Sequence, residues 1–233
     1  MKLAILHELN AERAARRPAI LVTDTESGEQ RLVKSVDFAS DPLRAELEKQ
    51  LRMGKSANVE AGGKKLFLNV YAPTAKLVIV GAVHISQALA PLARSLGYDV
   101  TVVDPRTAFA SPERFPDVPL LAEWPDTALP PLNVDAYTAF VAVTHDPKID
   151  DPALLHAFER NCFYIGALGS RKTHAKRGDR LRAQGAKEAD IARIHAPIGL
   201  AIGAVSPSEI AVSIMAEITA VLRLPPKEKE EAA

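Results

Sequence analysis

The chain has 233 residues, 47% of them apolar, and its 29 Lys and Arg residues are balanced by 29 Asp and Glu residues. That length carries one or two domains with a substantial core, while zero net charge gives no overall field to draw in nucleic acid or anionic lipid. The single cysteine, Cys162, excludes an internal disulfide and a multi-cysteine zinc site.

In chain order, residues 1–72 read as a small α+β domain. A short leading helix precedes strands over 19–23 and 31–36, joined by a turn over 26–29 in the manner of a hairpin. The opening segment carries acids and has neither a long apolar core nor a small-residue cleavage site, so a secretory signal is not expected there. Residues 40–53 read as an amphipathic helix with Leu43, Leu47 and Leu51 on one face and Gly54 as its stop. A second hairpin over 56–61 and 65–71 turns at Gly62 and Gly63, and residues 71–74 form the linker.

Residues 73–224 read as a Rossmann-like domain, an α/β fold with a parallel sheet. Leu77, Val78, Ile79 and Val80 are the continuous apolar run of a strand buried on both faces. Ile85, Leu89, Leu92, Ala93 and Leu96 recur at helical spacing up to Gly97, with Pro91 predicting a bend, and the run 100–103 delivers Asp104 to a strand end. Proline-rich loops follow Arg106. Then come a strand over 139–144, a helix over 152–159, a strand over 163–165 and a basic helix opening at Ser170. A final helix is announced by the capping box Ser206-Pro207-Ser208-Glu209. Alternation of this kind calls for a parallel sheet covered by helices on both faces. Residues 225–233 are too polar to pack and read as a disordered tail. No apolar run reaches the ~20 residues of a membrane span, and the expectation is a cytoplasmic protein.

Four places carry candidate chemistry. Gly81 and Asp104 fit the phosphate-turn and ribose-acid positions of a dinucleotide fingerprint, but Val83 stands at the middle glycine position, with Ser86 at the third. His84 opens the same helix, either meeting a ligand or simply exposed. Thr144, His145 and Asp146 lie where a buried strand ends, the edge at which open parallel sheets place ligands. They serve either as a histidine working beside a carboxylate or as a helix-start loop whose Thr and Asp satisfy backbone N–H groups. Gly166, Gly169, Ser170 and Arg171 follow the next strand, where small residues and a helix start suit an anion, with Arg171 adding charge. Lys176, Arg177, Arg180 and Arg182 read as a solvated face. Gly199 and Gly203 form a third close-approach loop or a tight structural turn. The remaining histidines lack ligand spacing, so no metal site is expected, and Cys162 reads as a small apolar residue.

The ordered motifs LVIVGAVHISQALAPLARSLGYDVTVVDPR, VAVTHDP, YIGALGSRKTHAKR and HAPIGLAIGAVSPSEIAVSIMAEI resemble the carboxyl-terminal domain of the XdhC/CoxI family, over roughly residues 75–223. The resemblance implies an accessory protein, a chaperone for xanthine dehydrogenase and related molybdenum hydroxylases. Such a protein binds molybdenum cofactor (molybdopterin) and protects it while its sulfido ligand is installed with a cysteine desulfurase. It then delivers the cofactor to the apoenzyme. It also implies a homodimer. Helix-start N–H groups over 81–86 and Arg171 would then hold the cofactor's phosphate and oxo groups. The chain departs from the family at Val83, usually glycine, and at Ala201, often aspartate. Residues 1–72 match no GGC motif with its following glutamate, although LRMGKS and LFLNVYAP are similar to the family's interdomain junction. Two other readings stand beside this one. The first is an NAD(P)-dependent oxidoreductase using Asp104 for ribose and His145 for proton transfer; the second is a nucleotide-binding interaction module without catalysis.

Overall fold

The computed structural model describes residues 2–225, so all but the first residue of the tail expected over 225–233 lies outside the described residues. The chain separates into two compact units, one built on the residues up to Pro73 and joined by the chain from Arg223, the other Thr74–Leu222.

In the first unit, α1 (Leu3–Ala14) precedes β1 (Ala19–Asp24), β2 (Gln30–Lys34), α2 (Arg44–Met53), β3 (Ala57–Ala61) and β4 (Lys64–Tyr71). The strands form an antiparallel sheet in the order β2-β1-β4-β3. Leu47 of α2 is fully buried in a cluster with Ile20, Val22, Leu66 and Leu68, so one sheet face is covered. The helix expected from residue 40 starts four residues later, after a 3-10 turn over Ser35–Ser40. Asp41 is extended there, with φ −82 and ψ 137, because Pro42 disfavours the helical region for the residue before it.

The second unit contains β5 (Lys76–Val80), α3 (His84–Ser95), β6 (Asp99–Val103), β7 (Leu120–Leu121), α4 (Pro125–Ala128), β8 (Thr138–Ala142), α5 (Pro147–Glu159), β9 (Tyr164–Ala167), α6 (Arg171–Ala183), α7 (Glu188–Ile191), β10 (Ile194–His195) and α8 (Pro207–Arg223). Its six strands are all parallel, in the order β10-β9-β8-β5-β6-β7, the doubly wound Rossmann-like arrangement. Alternation along β5 divides the core. Leu77 and Ile79 face α3 and α8, while Val78 and Val80 face α4, α5, α6 and α7.

Two expectations are corrected. The helix expected over 152–159 begins at Pro147 and runs through Pro152. Pro147 occupies the first helical position, which needs no N–H, and Pro152 lies in the second turn, where the helix continues without a donor to the Lys148 carbonyl. The strand expected over 139–144 ends at Ala142, and the next residues turn into a capping loop. The short elements β7, α4, α7 and β10 carried too few residues for a periodic signal, and β10 is a two-residue edge strand beside β9.

Candidate functional site at the carboxyl edge of the sheet

Strand order reverses between β5 and β8, so the loops after these strands flank the crevice where such sheets take ligands. Gly81 ends β5 with φ +120, and an added Cβ would stand 3.0 Å from Thr144 Cγ2 and 3.2 Å from Thr144 N. The two loops therefore touch through a glycine that no other residue replaces without strain. Ser86 is buried and donates its hydroxyl to the Gly81 carbonyl, which pins the turn to α3. Val83 is the residue before α3, extended at φ −97 with no side-chain cap. A valine adopts that conformation freely, and its half-buried side chain packs against the core on the α3 side of the sheet. His84 is exposed at the first position of α3.

Asp104 is fully buried and already saturated by the chain's own donors. It accepts from Ala82 N at 2.7 Å, Arg106 N at 2.9 Å, Arg106 Nε at 2.9 Å and Arg106 Nη2 at 2.7 Å. Burial pushes this carboxyl up, but the Arg106 guanidinium and the backbone donors outweigh it and hold it below the usual carboxylate range. The guanidinium of Arg106 also lies over the Phe109 ring at 4.4 Å. The acid expected to read a ribose is thus a structural clamp between the β5 turn and the β6 end.

At the end of β8, Asp146 is the N-cap of α5, accepting from Lys148 N at 2.9 Å. His145 is exposed and left-handed at φ 65. Buried Asp150 explains that conformation, accepting from Thr144 Oγ1 at 2.6 Å, Thr144 N at 3.3 Å and His145 N at 3.2 Å. Burial pushes the Asp150 carboxyl up despite these donors. The helix-start reading of Thr144 and Asp146 accounts for their contacts.

At the end of β9, Ser170 caps α6 through Thr173 N at 3.2 Å, and Arg171 is exposed at its first position. Arg177, expected on a solvated face, is instead 2% exposed and donates Nη2 to the Leu168 carbonyl at 2.7 Å. It sits on the inner face of α6, one turn before core residue Leu181. Gly166 and Gly199 belong to a separate cluster. A Cβ at Gly166 would meet Tyr164 Oη at 2.7 Å, and one at Gly199 would meet Ser213 Oγ at 2.3 Å. Glu217 of α8 gathers this cluster, accepting from Tyr164 Oη at 2.6 Å and Gly199 N at 2.8 Å and pairing with His195 Nδ1 at 3.1 Å. The imidazole of His195 stacks on Tyr164 with ring centroids 4.6 Å apart. Burial raises the Glu217 carboxyl, but these partners bring it below its ordinary value. Gly203 is exposed with open space around it.

The structure therefore joins Gly81, Ser86, Asp104 and Thr144 around one turn and gathers Gly166 and Gly199 around Glu217. Sequence reasoning missed Arg106, Asp150, Arg177 and Glu217. Glu217 alone had a legible signal, being the only acid of α8 beyond its first turn. Cys162 is buried, and burial pushes its thiol up to about 12. Among the described residues no helix is long and apolar enough to cross a membrane, and no cluster of His, Cys, Asp or Glu is arranged to hold a metal ion.

Residues 77–218 match the family described as the XdhC Rossmann domain. The chain is 34% identical to a protein of Bacillus subtilis named as a probable subunit of xanthine dehydrogenase, over 66% of this chain and 44% of that protein. It is 31% identical to "Molybdenum cofactor insertion chaperone PaoD" of Escherichia coli, over 65% of this chain and 41% of that protein. It thus spans less than half the length of these curated relatives. A crystal structure described as a xanthine dehydrogenase from Bacillus halodurans shares the fold with a TM-score of 0.67 at 23% identity, over 94% of this chain and 66% of that one.

Proposed function

The chain belongs to the XdhC family, and from that premise we propose that it is a maturation factor that binds molybdenum cofactor as cargo for a molybdenum hydroxylase. The observation that carries this reading is the family match over residues 77–218, together with the likeness to a cofactor insertion chaperone. The carboxyl edge fits such a cargo in three respects. Gly81 lets the β5 turn lie against Thr144, the first N–H groups of α3 have no side-chain cap, and Arg171 stands exposed at the start of α6. N–H groups and a guanidinium suit phosphate and oxo groups.

A dinucleotide-dependent oxidoreductase needs an acid free to accept ribose hydroxyls, and Asp104 has no free valence for that task. Nor does the chain supply a sulfur carrier of its own, because the Cys162 thiol is buried and its pKa is pushed up to about 12. The sulfido ligand is therefore installed by a cysteine desulfurase acting on the bound cargo, and the loaded chain, a homodimer in the cytoplasm, passes it to the apoenzyme. Anaerobic equilibrium binding to molybdenum cofactor, NAD and NADP in parallel tests the reading. Saturable cofactor binding is expected, and binding of the nicotinamides alone would overturn it.

A further inference from the structure

Arg177 is the one guanidinium among the described residues that is both almost wholly buried and short of partners. Nη2 donates to the Leu168 carbonyl at 2.7 Å, whereas Nε and Nη1 have no hydrogen-bond partner. Buried donors are nearly always satisfied, so two vacancies on one charged group require a reason. The neighbouring acids do not supply it. Asp151 is taken by Arg180 Nε at 2.6 Å and Nη2 at 3.0 Å. Asp150 attracts Arg177 by charge, but its oxygens accept from Thr144 and His145.

The position of the group is equally informative. Arg177 reaches back along α6, a 13-residue helix, to the Leu168–Ser170 loop that opens it. The Asp150 carboxylate in its field holds the Thr144–His145 turn. The guanidinium therefore underlies the loop after β9 and faces the acid that fixes the loop after β8. The N–H groups at the start of α6 precede its first internal bond, and Arg171 and Lys172 add exposed positive charge.

We propose that Arg177 is the buried anion contact of this edge, its unpartnered guanidinium donating to phosphate or pyrophosphate oxygens of the bound ligand beneath the Leu168–Ser170 loop. Entry requires the Leu168 carbonyl to lift from Nη2, and Gly169, at φ +131, gives the loop its pivot. The proposal deepens the cofactor reading and rests on it for the identity of the natural ligand, though not for the anion chemistry.

Inorganic pyrophosphate is the probe, added to the full chain labelled with 15N-arginine. Saturable displacement of the Arg177 Nε–H resonance is expected. Arg177→Lys, which keeps the charge but loses the planar fork, should weaken pyrophosphate at least tenfold, whereas Arg180→Lys should not. An unmoved Arg177 resonance in the unsubstituted chain, or unchanged affinity in folded Arg177→Lys, overturns the assignment and leaves buried water as the partner. Molybdenum cofactor binding without any response at Arg177 would sink this inference alone. A pyrophosphate response at Arg177 without cofactor binding would sink the cofactor reading and leave the anion site standing.

Discussion

At the scale of single residues, the arginine–acid contacts carry the clearest consequences. Asp104→Asn leaves the Arg106 fork without its carboxylate, and breaking a buried pair costs ~3–5 kcal/mol. Arg106 keeps 30% of its side chain exposed, which lowers the expected loss to about 2 kcal/mol, or roughly 4–8 °C in Tm. Because the folded-state pKa of Asp104 is lowered, its contribution is fully present above its unfolded pKa of about 4 and is lost as pH falls through the depressed folded value. Acid melts of the native chain should show that loss, and those of Asp104→Asn should show less of it. Arg171→Ala removes a charge at an exposed site, so cofactor affinity should fall about tenfold, the worth of one charge-assisted bond, with an unchanged circular dichroism spectrum. Neither Arg106 nor Arg177 was legible as a contact in the sequence. A local charge pattern does not reveal whether a guanidinium turns back toward its own strand end or inward under a loop.

At the scale of elements, legibility followed length and periodicity. The apolar runs of β5 and β6 and the spaced Ile and Leu residues of α3 and α8 were readable because each repeats over several residues. The same holds for the capping box of α8, where Ser206 N donates to Glu209 Oε2 at 2.8 Å and Glu209 N to Ser206 Oγ at 3.3 Å. The start of α5 was misplaced because two prolines in one helix look like a boundary, although Pro147 is suited to the first position. Glycines at loop ends were legible as close approaches, but the structure alone shows what they approach. Gly199→Ala would place a Cβ 2.3 Å from Ser213 Oγ and 3.1 Å from Ile214 N at a backbone φ of +89. That change should cost about 2 kcal/mol or more, combining left-handed strain with a shifted helix contact. Chemical denaturation would read it directly, and an unchanged midpoint would show that the loop yields without effect.

At the scale of the whole molecule, the proposed division of labour places sulfur chemistry outside this chain. Purified chain loaded with desulfo cofactor should leave a client apoenzyme inactive, and addition of a cysteine desulfurase with cysteine and a two-electron reductant, which brings the persulfide sulfur to the sulfide level, should restore turnover. Activation without the desulfurase would contradict that division. Cys162→Ala should support the same yield, since its buried thiol takes no part. The parallel sheet was visible in the sequence as a change from hairpin signals to strand–helix alternation. Strand order was not, because it depends on pairings between distant segments.

The packing of the last helix on the first strand of the sheet has a consequence for synthesis of the chain. The face of the sheet that carries Leu77 and Ile79 is covered in part by Ala211, Ile214, Met215 and Ile218 of α8, more than a hundred residues downstream in the sequence. Until those residues leave the ribosome, that apolar face lacks the α8 part of its cover, and the nascent chain is an open target for holdase chaperones and proteases.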